Sequence, residues 1–302
     1  MIDSYKIYND DCRNVLRGIP ANSIDFIATD PPYFIYGLGD DWDDENISNS
    51  NKSNVIKSLP EHMFFNRQQG YDLYDFMYPI AKEYYRILKP GAFCCVFSQA
   101  RLYHHMAMAL DNNNFEIRDM MGWKYEGQAK AFSLNHFINK QNDLSQTQKE
   151  NLIKELSGWK TPQLKPQIEP IVLAQKPKEG TFIDNWIKYG VGLLNTNQKF
   201  DDMFPGNIIE IAKSERNKDT DFKIEHITVK PVKLIEHLIK LFTQENQVVL
   251  DSFCGSGSHC IAALNTNRKF IGIEREKKYC EIIMKRIEKL NEIKSNDIDS
   301  FI

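Results

Sequence analysis

The 302-residue chain has no apolar run long enough to cross a bilayer. Its first residues, Met1 to Lys6, also lack the basic-then-apolar pattern of a signal peptide. A cytoplasmic protein is the expectation. Charge of one sign is missing as well: 38 Lys and Arg stand against 41 Asp and Glu, a net of -3. With no global pull toward nucleic acid, any such contact must come from local basic surface. The six cysteines (Cys94 and Cys95 adjacent, Cys254, Cys260 and Cys280 near the C-terminus) show no metal-ligand spacing. Reduced, buried thiols and no metal centre follow for a cytoplasmic chain. His104-His105 has no companion ligand pattern, and His259 reads as a packing residue. Internal repeats are absent. What remains is a 42% hydrophobic chain, enough to bury a substantial core as one large domain or one domain with a modest insertion.

Apolar periodicity predicts alternating strands and helices. Strands are expected over 5–8, 24–28, 92–97, 115–123, 169–175, 248–251 and 269–273, with 169–175 the antiparallel partner of 115–123. Helices are expected over 11–17, 71–88, 101–110, 231–243, 258–265 and 276–293, the second stopped by Lys89-Pro90-Gly91. The polar stretch 34–70, rich in Asn, Asp and Ser, reads as a loop. This alternation implies a doubly wound α/β sheet.

Two segments carry chemistry. Asp30-Pro31-Pro32-Tyr33 follows directly on the apolar run Ile24 to Ala28. Two prolines cannot extend a strand ladder, so they fix a turn at the strand's C-terminal edge, where open α/β sheets bind ligands. A carboxylate, a proline carbonyl and one aromatic ring could grip an exocyclic amino group while stacking on its heterocycle. The bland reading is a proline-rich loop with a capping Asp. Far away, Val248-Val249-Leu250-Asp251-Ser252-Phe253-Cys254-Gly255-Ser256-Gly257 reads as a strand running into a glycine turn and then a helix. Gly255 and Gly257 would let the backbone approach a ligand closely. A second strand then ends in Glu274, an acid placed to accept from ribose hydroxyls. No Walker lysine is present, so a nucleoside-type cofactor is favoured over ATP.

With both segments in this order, the chain resembles the S-adenosylmethionine-dependent DNA amino-methyltransferases of the permuted group, in which the Asp-Pro-Pro-Tyr motif precedes the cofactor motif. Lys165 to Pro177, Gly190 to Asn195 and His226 to Pro231 resemble prophage-like members. The likeness covers nearly the whole chain and is weakest over 34–70 and 126–160. Ile227 and Ser252 stand where proline is usual, and Ser258-His259 where two threonines are usual; these departures bear on fine cofactor geometry. The resemblance implies a Rossmann-like methyltransferase sheet, circularly permuted, with the N-terminal strand beside the strand ending in Glu274. It implies a catalytic half at 1–123, an insert at 124–168, a sheet strand at 169–177, a target-recognition candidate at 178–225 and a cofactor-binding half at 226–302. Asp30, Pro31, Pro32 and Tyr33 would be catalytic. Asp11, Cys12, Thr228, Lys230, Asp251, Phe253, Gly255, Gly257 and Glu274 would hold S-adenosylmethionine, Thr228 and Lys230 at its methionine end. Asp11 also suits an N-cap and Lys230 a surface ion pair; those readings stay open.

The implied reaction is transfer to the N6 amino group of adenine. Asp30 and the Pro31 carbonyl would accept both amino protons, Tyr33 would stack on a base rotated out of the duplex, and the nitrogen would attack the methyl group in line. An N4-cytosine enzyme usually has Ser in place of Asp30, and a protein-glutamine methylase Asn; methylation of RNA and a catalytically dead DNA-binding subunit are further alternatives. Duplex DNA is the implied partner, with a homodimer and a cognate restriction endonuclease left open. Phosphate contacts are expected from Lys124 and Lys130 in the first region, where seven lysines oppose four acids, and from Lys213, Arg216 and Lys218 in the second.

Overall fold

The computed structural model describes residues 4–33, 67–127, 131–198, 204–212 and 229–299. In chain order the elements are β1 (Tyr5–Asn9), α1 (Cys12–Gly18), β2 (Ile24–Thr29), α2 (Gln68–Ile87), β3 (Leu88–Phe97), α3 (Tyr103–Asp111), β4 (Glu116–Lys124), α4 (Asn135–Asn139), α5 (Gln146–Glu155), β5 (Ile168–Gln175), α6 (Phe182–Tyr189), β6 (Ile208–Glu210), α7 (Val232–Phe242), β7 (Val248–Asp251), α8 (Ser258–Asn265), β8 (Lys269–Glu274) and α9 (Lys277–Asp299). The strands form one sheet in the order β1-β8-β7-β2-β3-β5-β4-β6. The first five in that order run parallel, β5 is antiparallel to both β3 and β4, and β6 joins β4 in parallel. Asn9 at the end of β1 lies opposite Glu274 at the end of β8, so the expected pairing of N-terminal and C-terminal strands is present.

Period-two alternation sorts the strand side chains into two layers. Phe26 and Ala28 of β2, Phe93, Cys95 and Phe97 of β3 and Val249 of β7 pack with residues of α7, α8 and α9. Ile27, Cys94, Val96 and Leu250 point the other way, into a core shared with α1, α2 and α3. This two-faced burial is the doubly wound architecture that the alternating pattern predicts. Helix α7 shows how firmly a layer is held. Leu234, Ile235, Leu238 and Ile239 are fully buried, and Phe242 stacks 4.7 Å from Phe93 and 5.3 Å from Phe26. Each such side chain contributes about 1.5–3 kcal/mol by leaving water.

One charged residue sits inside an apolar strand. Asp25 is buried, and its carboxylate accepts from Lys89 Nζ at 2.5 Å and from the Val248 N–H at 2.7 Å. It ties together the N-terminal ends of β2, β3 and β7, the edge opposite the two motif turns.

The structure departs from expectation in three respects. β3 begins at Leu88, not Ala92, because Lys89-Pro90-Gly91 enters the strand through a bulge rather than ending the helix in a loop. Gly91 has φ +82°, and a Cβ there would fall 2.3 Å from Asn185 Nδ2, which donates to the Pro90 and Val191 carbonyls. α2 begins at Gln68, inside the stretch expected to be loop, and carries Pro79 internally; residues 34–66 lie outside the described residues. α4, α5, α6 and β6 were not expected. α5 and α6 each open with a capping box, Ser145 with Gln148 and Thr181 with Asp184. Among the described residues no helix is long and apolar enough to cross a membrane.

Candidate active site

Both chemistry-bearing turns leave the same sheet edge from neighbouring strands. β2 and β7 pair directly, Phe26 opposite Val249 and Ile27 opposite Leu250, and the chain departs outward from this pair toward β3 on one side and β8 on the other. That is a topological switch point, where the loops splay and leave a crevice. The last residue of β2, Thr29, donates its hydroxyl to Asp251 Oδ1 at 2.6 Å, so the turns are locked to each other. Asp251 is fully buried. Its Oδ1 also accepts from the Phe253 N–H at 3.0 Å, and its Oδ2 lies 2.9 Å from His259 Nδ1.

The glycine turn is pinned at several points. Cys254 N–H donates to the Ile273 carbonyl at 3.0 Å, Arg286 from α9 donates to the Ser256 carbonyl at 2.7 Å, and Tyr84 bonds Ser252. Gly255 has φ +48° and Gly257 φ +86°. A Cβ at Gly257 would fall 2.7 Å from Ile283 Cγ1. Packing of α9 and left-handed backbone therefore demand glycine there, a reason the sequence alone does not supply. The Gly255 N–H donates to Glu274 Oε2 at 2.7 Å and the Glu276 N–H to Oε1 at 2.8 Å. Burial pushes the Glu274 carboxyl above its ordinary range, partly offset by those two N–H donors. Phe253 is half-buried against Phe76, ring centroids 5.9 Å apart, and Arg13 lies over the other ring at 5.8 Å. Asp11 caps α1 and is held by Arg13 through Nε at 2.9 Å and Nη2 at 2.6 Å, bonds that lower its carboxyl. Cys12 is buried behind it, its thiol pushed up to about 12 by desolvation.

The Asp-Pro-Pro-Tyr turn forms a second cluster. Pro31 is buried, and Asp30, Pro32 and Tyr33 are half-buried. Asp30 accepts from the Tyr33 hydroxyl through Oδ1 and from Lys230 Nζ through Oδ2. Lys230 Nζ also lies 2.9 Å from Glu169 Oε1 and 5.0 Å from the centroid of the Phe97 ring. Burial works to lower the Lys230 ammonium, but the Asp30 and Glu169 carboxylates outweigh it and hold the group above its usual value. The Tyr33 hydroxyl is pushed well up, first by burial and then by the same two carboxylates.

Lys230, expected at the methionine end of a cofactor or at the surface, is thus seated between two carboxylates. Glu169, Thr29 and Arg286 were not singled out from sequence, and His259, read there as a packing residue, lies against the buried Asp251 carboxylate. Glu169 was legible in principle. Because β5 runs antiparallel to β3, the beginning of β5 lies at the edge where the parallel strands end, and an acid opening a buried strand there faces the crevice. Of the expected phosphate contacts, Lys124 is described, and it pairs with Glu210 at 2.7 Å on the surface. Lys130, Lys213, Arg216, Lys218 and the expected cofactor residue Thr228 lie outside the described residues.

The donor set tests the fit of a cofactor. Carboxylates at Glu274 and Asp11 flank an aromatic wall of Phe253 and Phe76; they suit the hydroxyls and amino group of a nucleoside and would repel a phosphate. A Rossmann-like sheet whose proline turn and glycine turn meet at one switch point, with this donor set beside them, fits an S-adenosylmethionine-dependent methyltransferase. The chain belongs to the DNA methylase family of N6 and N4 amino-methyltransferases, whose profile matches residues 24–285. Two Haemophilus influenzae proteins are similar along their length. Type II methyltransferase M.HindIII is 30% identical over 96% of this chain and 97% of its own, and M.HinfI is 27% identical over 97% and 70%. Among solved structures, the cytosine-N4-specific PvuII DNA methyltransferase superposes with TM-score 0.62 at 17% identity, over 95% of this chain and 87% of its own. The M1.HpyAVI–SAM complex superposes with TM-score 0.53 at 20% identity, over 93% and 99%. At those identities the structural likeness speaks for the fold.

Proposed function

We propose that this chain methylates the N6 amino group of adenine at one target sequence in duplex DNA. The observation that carries this reading is the Asp30 carboxylate at the switch point, locked through Thr29 and Asp251 to the glycine turn. When bound, S-adenosylmethionine supplies an electrophilic methyl group. Glu274 and Asp11 would hold its nucleoside by accepting hydrogen bonds, with Phe253 against the heterocycle. The chain's part in the chemistry is orientation and electrostatics. The amino nitrogen of adenine is a weak nucleophile because its lone pair is delocalised into the ring. Asp30 and the Pro31 carbonyl, by accepting hydrogen bonds from its two N–H groups, would localise electron density on nitrogen, and Tyr33 would stack on the base. Such a base must leave the duplex to reach the pocket.

An anionic first acceptor supports adenine over cytosine, since the family's cytosine enzymes usually carry Ser at that position. Target reading is assigned to 124–168 and 178–225. In the first, Trp159 and Leu164 are exposed beside the lysines, apolar surface with no place in the core. We extend to this chain the type II character of its relatives, with a restriction endonuclease of matching specificity as partner activity and a homodimer as the open question of assembly. The test is incubation with labelled S-adenosylmethionine and unmethylated mixed-sequence DNA, followed by identification of the modified nucleoside. N6-methyladenine is the expected product. N4-methylcytosine would transfer the chain to the sister activity, and label on RNA or protein alone would overturn the DNA reading.

A further inference from the structure

We propose that Glu169 is a positioning residue that serves as the seat to which Lys230 withdraws when a target base enters, freeing Asp30 and balancing charge at the reacting nitrogen; this rests on the proposed role of Asp30 as acceptor of the base's amino group. Four groups meet at the mouth of the crevice. Lys230 Nζ touches Asp30 Oδ2 and lies 2.9 Å from Glu169 Oε1, while the Tyr33 hydroxyl donates to Asp30 Oδ1 and lies 3.4 Å from the same Glu169 oxygen. Only 5% of the Lys230 side chain is exposed, against 11% for Asp30 and 19% for Glu169. The pair is therefore poorly screened, and water cannot readily replace either partner.

Both oxygens of Asp30 are engaged in this arrangement, one by a cation. A base amino group arriving at Asp30 would meet that cation at the atom where it must donate. The conflict grows as the reaction proceeds. The amino nitrogen becomes positively charged as its new bond to carbon forms, and an ammonium held against Asp30 would oppose that charge at short range. Lys230 cannot escape into water without rearrangement, because it is buried and lies over the Phe97 ring. Glu169 removes the difficulty. Nζ is already within salt-bridge distance of its carboxylate, so a small shift transfers the cation wholly to Glu169 and opens an Asp30 oxygen. Two carboxylates and one ammonium leave a single net negative charge in the cluster, which matches the one positive charge that develops on the base.

Charge balance gives a signed test. Glu169→Gln leaves the cluster formally neutral and Lys230 held to Asp30 alone. Glu169→Gln combined with Lys230→Met restores one net negative charge and empties the Asp30 oxygen. Single-turnover methyl transfer to unmethylated mixed-sequence DNA is measured for both and for the wild type. Cofactor affinity by calorimetry and the thermal midpoint are followed in parallel. Glu169→Gln is expected to lose roughly 10- to 100-fold in transfer rate, the range set by a buried hydrogen bond to a charged group, with cofactor affinity unchanged. The double variant is expected to recover about tenfold of that loss. A structural role for Glu169 would make the double variant as slow as the single one or slower. That outcome, or wild-type rates in Glu169→Gln, overturns the proposal. If Glu169→Gln does not fold, the double variant is read alone: transfer within about tenfold of wild type supports the proposal, and greater loss overturns it. A wild-type protein that labels no DNA base would remove the underlying reading instead, and is seen before any variant is compared.

Discussion

The turn after β2 and the turn after β7 lie side by side at one sheet edge, joined by the 2.6 Å bond from Thr29 to Asp251, yet they are made by opposite means. In the first, two prolines remove backbone freedom and backbone donors, so beyond the Pro31 carbonyl recognition falls to side chains: Asp30, Tyr33, and Lys230 and Glu169 brought in from elsewhere. In the second, glycines at φ +48° and +86° leave the backbone bare, and the side chains that matter face inward as struts: Asp251 to Thr29 and His259, Tyr84 to Ser252, Arg286 to the Ser256 carbonyl. One turn presents reactive groups and the other presents shape. The first should therefore be sensitive to chemistry at constant volume, and the second to volume at constant chemistry.

The sharpest way to break that contrast is Asp30→Ala. Methyl transfer should fall by at least about a hundredfold, as for loss of a preorganised electrostatic partner, while cofactor affinity stays within about threefold. Parallel loss of both, seen by calorimetry, would mean that the two turns are not separable. The mirror experiment is Gly257→Ala. Left-handed backbone plus a Cβ 2.7 Å from Ile283 Cγ1 should destabilise the fold by about 2 kcal/mol or more and weaken cofactor binding, read as a lower thermal midpoint and a raised Kd. A normal midpoint would show that α9 can move aside. Next in size, Tyr33→Ala should lose roughly 10- to 100-fold, the worth of one base–aromatic stack, and Tyr33→Phe clearly less. If Phe is as poor as Ala, the hydroxyl on Asp30 matters more than the ring.

The same contrast explains what the sequence made legible. The proline turn, the glycine turn and the strands behind them announce themselves locally, because prolines, glycines and buried apolar runs act on their own few residues. The partners of those turns are set by topology. Glu169 comes to the Asp30 cluster, through Lys230 and the Tyr33 hydroxyl, because β5 is antiparallel, and Lys230 because the segment before α7 passes the same edge; they stand 139 and 200 residues from Asp30, so no local pattern links them. Asp11 shows the reverse. Its capping role was readable from Asp-Cys-Arg at a helix start, and the bidentate grip of Arg13 follows from a spacing of two. Helices α4, α5 and α6 escaped notice for a different reason. α5 has no buried residue and α6 buries only Asn185, so the apolar periodicity that betrays a core helix is weak or misdirected; Phe182, Ile183 and Ile187 of α6 face outward.

The smallest expected effect probes the border between the turns' two strategies, at Glu274, a side-chain acceptor built into the shape-presenting half. Burial raises its carboxyl, with the Glu276 and Gly255 N–H groups pulling the other way. A carboxyl raised in the folded state binds its proton more tightly there than in the unfolded chain. Below the ordinary value of 4.5 both states hold the proton and nothing is lost. As pH rises through the folded-state value the folded protein loses that advantage, so ionised Glu274 costs stability at neutral pH. Without cofactor, the thermal midpoint of Glu274→Gln relative to wild type should therefore climb as pH is raised from about 4 to 7, even as the variant loses cofactor affinity. On the proposed reading, the carboxylate serves the ligand at the expense of the fold. A flat difference across that range would mean that the two N–H donors already offset burial, making Glu274 one more strut of the glycine turn instead of a strained acceptor awaiting hydroxyls.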